Sequence, residues 1–327
     1  MVCVIGQHRL SLSESVAISY LRVIALISIV ACHLLQAMDN KWAWVLNIGV
    51  QVFFFISGFL YGHKDIQDWV HWYKYRFWKI YIPFVITAIV FIICYKVFTT
   101  TEVKFSNLIS YITATQWFGG RVKGLGHLWF VTAILLCYLC TPILQVLRGV
   151  AYKVCFLLVL CSLYELLLVR YDVTLFMPFF VYSFGYLYSN LSKKKKWLFA
   201  SAIGAVAVVV SCHITWEKVL VDGVENQLLH TFGGIAFSIS ALAFLTRVIE
   251  VKKCPRIIEV LDKYSYEVYL VHHPLILGTL SMMFVTKYYV LNIIMVLLIT
   301  IVLAYWLKQL CRYYGHLQLQ LTKKFCR

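Results

Sequence analysis

Charge is what these 327 residues have least of. Only 13% are charged while 62% are hydrophobic, against about 25% charged and 45–50% apolar in soluble domains. A soluble globular class is excluded. Acidic residues are scarcer still, 14 against 30 Lys and Arg, giving a net charge of +16. Segments of about 10 strictly alternating residues, the mark of a transmembrane β-barrel, are missing. So is any visible internal repeat. With five prolines and no long polar linker, no soluble second domain fits between the apolar runs. The first residues carry no basic n-region and the next segment no small-residue cleavage site, so a cleaved signal peptide is not expected.

What remains is a series of apolar runs close to 20 residues long, which reads as an all-α, polytopic membrane protein. The pattern predicts ten membrane helices in one bundle, at about 18–38, 44–62, 80–98, 128–147, 152–169, 173–189, 197–213, 230–249, 264–286 and 289–311. Residues 1–17 are expected as a cytoplasmic N-terminal segment, 18–311 as the transmembrane domain and 312–327 as a cytoplasmic tail. With the N-terminus inside, most Lys and Arg fall on the cytoplasmic face, and the acidic residues Glu217, Asp222 and Glu225 fall outside. The positive-inside rule therefore places both termini in the cytoplasm, in a multi-pass plasma (inner) membrane protein. That rule also accounts for the basic balance without nucleic acid.

The eleven cysteines mostly stand singly in apolar runs, as Cys32 and Cys94 do, where they act as small hydrophobes. Cys137 and Cys140 form a CxxC, but inside an apolar helix and with no second pair or neighbouring His. Neither a metal site nor a disulfide framework is expected.

Against this apolar background a few polar residues are conspicuous. The first span, YLRVIALISIVACHLLQ, carries Arg22 and His33. Ionisable residues inside a membrane helix are costly and mark functional sites by default. Eleven residues at about 100° each come to within about 20° of three full turns, so the two share one stripe, roughly 16 Å apart along the axis. Arg22 alone reads equally as a snorkelling interface residue, and His33 alone as a satisfied interior histidine. In the second span Gly49, Ser57, Gly58 and Gly62 are expected to permit close helix approach.

The stretch from Gly62 to Lys79, read as a loop, mixes Lys74, Arg76 and Lys79 with Trp69, Trp72, Tyr75 and Trp78. Headgroup anchoring explains such a mixture; a cytoplasmic anion site, with basic groups on phosphates and rings on a base, is the sharper reading. The stretch from Thr99 to Gly126 reads as a flexible outer loop with His127 at its mouth. Glu165 is the carboxylate deepest in a span. Near the C-terminus, YSYEVYLVHHPLI sets Ser265, Tyr269 and His272 on one stripe. Pro274 is expected to free a backbone carbonyl beside the two histidines. So polar a stretch should face the bundle interior.

Taken in order, YLRVIALISIVACH, GVQVFFFISGFLYG, RFWKIYIPF, HLWFVTAILLCYLCTPIL and SYEVYLVHHPLI resemble the successive motifs of the acyltransferase-3 family of integral membrane acyltransferases. The first matches its Arg-x10-His signature and the last its Ser-x-x-x-Tyr-Leu-x-His segment. One departure is Lys79, standing where the family usually has a second Arg; it offers a point charge in place of a fork. The resemblance implies transfer of an acyl group, most often acetyl from acetyl-CoA, to a hydroxyl of an envelope polysaccharide or glycolipid. His33 would then be the general base. Arg22, Lys74, Arg76 and Lys79 would face the coenzyme A donor, and Tyr269 and His272 would donate hydrogen bonds to developing charge. The rival reading is a transporter of an anionic or glycan substrate, with the same residues lining its pathway.

Overall fold

Ser11 opens the first helix. Its hydroxyl accepts from the Glu14 amide at 3.2 Å while the Glu14 carboxylate accepts from the Ser11 amide at 3.0 Å, a reciprocal box that satisfies two donors at the helix start. Helix α1 (Leu12–Ala37) follows directly. The computed structural model describes residues 10–147, 149, 176–191, 195–196, 224–249 and 254–325.

The remaining helices follow as α2 (Ala43–Leu46), α3 (Gly49–Gly62), α4 (Trp69–Phe98), α5 (Phe105–Ile112), a single 3-10 turn (Gly126–Leu128), α6 (Trp129–Val146), α7 (Phe176–Ser189), α8 (Val224–Val248), α9 (Arg256–Ile276) and α10 (Tyr289–Phe325). No strand occurs among the described residues. Six stretches there are long and apolar enough to cross a bilayer: Leu12–Ala37, Ala43–Gly62, Trp69–Phe98, Gly126–Val146, Thr231–Val248 and Tyr289–Tyr314. They coincide with six of the expected spans, and α7 overlaps a seventh. Expected spans 152–169 and 197–213, with Glu165, lie outside the described residues.

Three expectations are corrected. The basic and aromatic segment before the third span is mostly helix, because α4 starts at Trp69, with the Trp72 amide bonded back to the Asp68 carbonyl. The loop after α4 is structured: α5 starts where the Asn107 side chain accepts from the Lys104 amide at 2.8 Å. Arg121 then ties the following turn by donating to the carbonyls of Gln116 and Trp117. The ninth span, expected at 264–286, runs instead from Arg256 to Ile276. It stops two residues past Pro274, and the amides of Leu277 and Gly278 both turn back to the His273 carbonyl. Helix α10 runs on to Phe325, past the end of its apolar stretch at Tyr314.

The chain divides into two compact units. The first comprises Met1–Cys32, Lys41–Tyr73 and Ala133–Asp262. Its best-packed pair is α3 with α7. A Cβ on Gly58 would strike the Tyr182 carbonyl, and one on Gly185 the Phe55 carbonyl, so each glycine admits the other helix's backbone. This is how small residues serve helix packing in membranes. Gly49 does the same against the Ala25 carbonyl and Ile29 of α1. In the second unit, His33–Asn40, Lys74–Thr132 and Lys263–Arg327, Glu267 is buried on α9 and both its oxygens accept from Lys308 of α10 at 2.9 Å. Helix α10 exposes Ile294, Leu298, Ile301, Val302 and Trp306, a face suited to lipid.

Candidate functional site: a histidine cluster

Pro274 has no N–H, so the carbonyl four residues back, Leu270, loses its helical partner. His127, in the turn before α6, supplies the missing donor: its Nε2 lies 3.0 Å from that carbonyl oxygen. The clip is reciprocal, since the Tyr269 hydroxyl donates to the His127 carbonyl at 2.5 Å. Proline thus frees an acceptor, and the fold uses it to fasten α9 to the start of α6.

Three further imidazoles gather there, all in the second unit. His272 is fully buried and His127 nearly so, while His33 and His273 keep part of their surface exposed. His33 Nδ1 lies 2.8 Å from His272 Nε2. The ring planes are 17° from parallel with centroids 5.0 Å apart, the spacing of rings joined edge to edge through their nitrogens. His273 meets His33 edge-on with centroids 4.7 Å apart and stacks on His127 at 4.5 Å.

The hydrogen bonds assign the protons, because a carbonyl oxygen only accepts. His272 Nδ1 faces the carbonyls of Tyr269 at 2.8 Å and Val268 at 3.1 Å, so it carries the hydrogen. In neutral His272, Nε2 is then an acceptor, and His33 Nδ1 donates to it. His273 Nδ1 likewise donates to the Gly124 carbonyl at 2.9 Å. Gly124 has φ +86°, a left-handed conformation that favours glycine, and an added Cβ would lie 2.6 Å from both Gly278 Cα and Tyr95 Oη. His127 Nδ1 is buried with no hydrogen-bond partner. Among the described residues no three His, Cys, Asp or Glu side chains are arranged to hold a metal ion.

The structure therefore brings His33, Tyr269 and His272 together, as the sequence placed them on polar stripes. It changes the task of the last two. The hydroxyl hydrogen of Tyr269 and the ring hydrogen of His272 are both spent on main-chain carbonyls, so neither is left to donate to a developing negative charge. Two partners went unanticipated. The sequence sets His127 at a loop mouth and at the head of the HLWF motif without a chemical role, and gives none to His273; the HHP and HLWF stretches are the available signals.

Arg22 belongs to the first unit. Its Nη1 lies 3.2 Å from both carboxylate oxygens of Asp262, and Ser19 donates to the same carboxylate at 2.7 Å. Asp262 was missed because it precedes the expected start of its span; the signal was a membrane arginine with no carboxylate assigned to it. Lys74, Arg76 and Lys79 all lie on α4, with the Arg76 guanidinium carbon 5.5 Å from the centre of the Tyr75 ring.

A family model described as an acyltransferase domain matches residues 15–309. No curated protein and no solved structure matches the chain.

Proposed function

The chain belongs to the acyltransferase-3 family, and on that premise we propose that it transfers an acyl group, acetyl from acetyl-CoA, to a hydroxyl of an envelope polysaccharide or glycolipid. Its coarse function, a multi-pass membrane acyltransferase, follows from the family and from the apolar helices. The finer reading rests on one observation. His33, on the first membrane helix of an acyltransferase domain, retains exposed surface while its Nδ1 is hydrogen-bonded into a buried polar cluster. A membrane protein gains nothing from lipid by keeping four imidazoles together; a transferase gains a base.

In this reading the acceptor hydroxyl gives its proton to His33 as its oxygen attacks the thioester carbonyl carbon. The carbon–sulfur bond then breaks, and the departing coenzyme A thiolate takes the proton from the imidazolium. The products are the O-acyl glycan and free coenzyme A, with no metal needed to balance the step. The polyanionic donor is cytoplasmic in this reading, and Lys74, Arg76 and Lys79 of α4 are the basic residues we assign to its phosphates, Lys79 as a point charge; Arg22 is held by Asp262. The same reading has ten membrane helices with both termini in the cytoplasm of a plasma (inner) membrane protein.

The test uses the full chain in nanodiscs with labelled acetyl-CoA and envelope glycan. Label should move to the glycan, and His33→Ala should slow the transfer by about 10²–10⁴, the contribution of a positioned base. Equal transfer by His33→Ala would remove His33 from the chemistry. Glycan flux in proteoliposomes without any acyl donor would replace the whole reading with transport.

A further inference from the structure

The histidine beside the proposed base does more than fill space. We propose that His272 is a positioning residue that fixes which nitrogen of His33 is basic, with α9's own backbone as the fixed end of the chain of hydrogen bonds. The inference rests on the reading of His33 as the base.

The chain starts at two carbonyl oxygens. Val268 and Tyr269 lie one turn before His272 on α9 and accept from its Nδ1 at 3.1 and 2.8 Å. Neither can be a donor, so the tautomer of neutral His272 is set by main chain that cannot titrate. Its Nε2 lone pair then points at His33 Nδ1, 2.8 Å away, and holds the hydrogen there. That leaves the His33 lone pair on Nε2. An imidazole free in solution distributes its hydrogen between both nitrogens; here only one arrangement satisfies the buried partner. His272 is fully buried, so water is not at hand to supply a substitute acceptor, and the alternative tautomer of His33 would leave two lone pairs facing one another.

The arrangement fulfils the orienting task that a buried carboxylate performs in serine-type triads, with a difference of charge. A neutral imidazole backed by carbonyl dipoles orients the base without burying an anion in the membrane, where an unpaired carboxylate is expensive. The proton path is complete. The acceptor hydroxyl's hydrogen goes to His33 Nε2 while the Nδ1 hydrogen stays on the bond to His272. The same Nε2 hydrogen then passes to the thiolate of coenzyme A. His272 never gains or loses a proton and touches neither substrate.

The geometry of α9 supports the role from its other side. Tyr269, which carries one of these carbonyls, and Leu270 next to it are both clipped to His127. The turn that fixes His272 is thereby fixed in turn to the start of α6.

Two substitutions separate positioning from mere packing. His272→Leu keeps an apolar volume and removes the acceptor; His272→Gln can place its amide oxygen near the position of Nε2 and still accept from His33. In the full chain in nanodiscs, His272→Leu should lower kcat on the order of 10² or more, as losing an orienting partner does, with KM for acetyl-CoA unchanged. His272→Gln should recover at least tenfold of that loss. A third readout needs no turnover: ¹⁵N NMR of histidine-labelled wild type should show His33 protonated at Nδ1 and bare at Nε2, with the preference lost in His272→Leu. A wild-type His33 bare at Nδ1 overturns the proposal even if the leucine variant cannot be purified. So does a leucine variant with wild-type kcat, or a glutamine variant no better than leucine. An active His33→Ala, run alongside, would instead overturn the base reading itself.

Discussion

Arg22 and Asp262 illustrate how much one residue can ask of a distant segment. A guanidinium on a membrane helix needs an anion, and α9 brings Asp262, 240 positions along, to 3.2 Å. The carboxylate is largely shielded and also holds Ser19. Asp262→Ala removes acceptors from both partners and should destabilise the protein by about 2 kcal/mol, the scale of a lost charged hydrogen bond. Asp262→Glu should be milder. Thermal unfolding in detergent measures both, and an unshifted Tm for the alanine variant would show the pair to be incidental. At this scale the sequence was legible wherever a costly residue sat inside an apolar run: Arg22, His33, Tyr269 and His272 were all singled out that way. Its partners were not. Asp262, His127 and Lys308 lie beside or at the ends of apolar runs, where charge is ordinary, and their pairing is tertiary.

Between α3 and α7 the contact is made by backbone rather than side chains. Gly58 and Gly185 each face a carbonyl of the other helix, and any Cβ there must push the helices apart. Overpacking of this kind costs typically 1–3 kcal/mol. Gly58→Ala and Gly185→Ala should therefore each lower Tm. Gly233→Ala is the internal control: nothing lies within 4 Å of its added Cβ, and alanine is the better helix former by about 1 kcal/mol. That variant should match or exceed the wild type. Equal losses in all three would mean that the glycines act through something other than helix approach. The glycine pattern of α3 announced the close approach from sequence. The glycine on α7 did not stand out, because a single Gly among Tyr and Phe has no spacing to read. Helix ends were less legible still. The Ser11–Glu14 box and the halt after Pro274 depend on single side chains and turns, and apolar length says little about either.

Across the molecule, the proposed orientation is read from charge, and one helix suffices to test it. Helix α4 runs from Trp69 to Phe98, 30 residues, or about 45 Å at 1.5 Å per residue. A hydrocarbon core is about 30 Å thick, so its two flanking segments must emerge on opposite sides. The proposed orientation, read from the positive-inside rule, puts the end carrying Lys74, Arg76 and Lys79 in the cytoplasm, on the side of the proposed acyl-CoA donor. Gln67 lies just before α4 and Glu102 just after it, both exposed, so either accepts a reporter without disturbing the core. In intact cells an impermeant thiol reagent should label Glu102→Cys, while Gln67→Cys should react only after permeabilisation. The parent chain, measured in parallel, subtracts the native thiols. The opposite labelling would turn the helix over, placing Arg76 and Lys79 on the side without coenzyme A and removing them from the donor site whatever their charge.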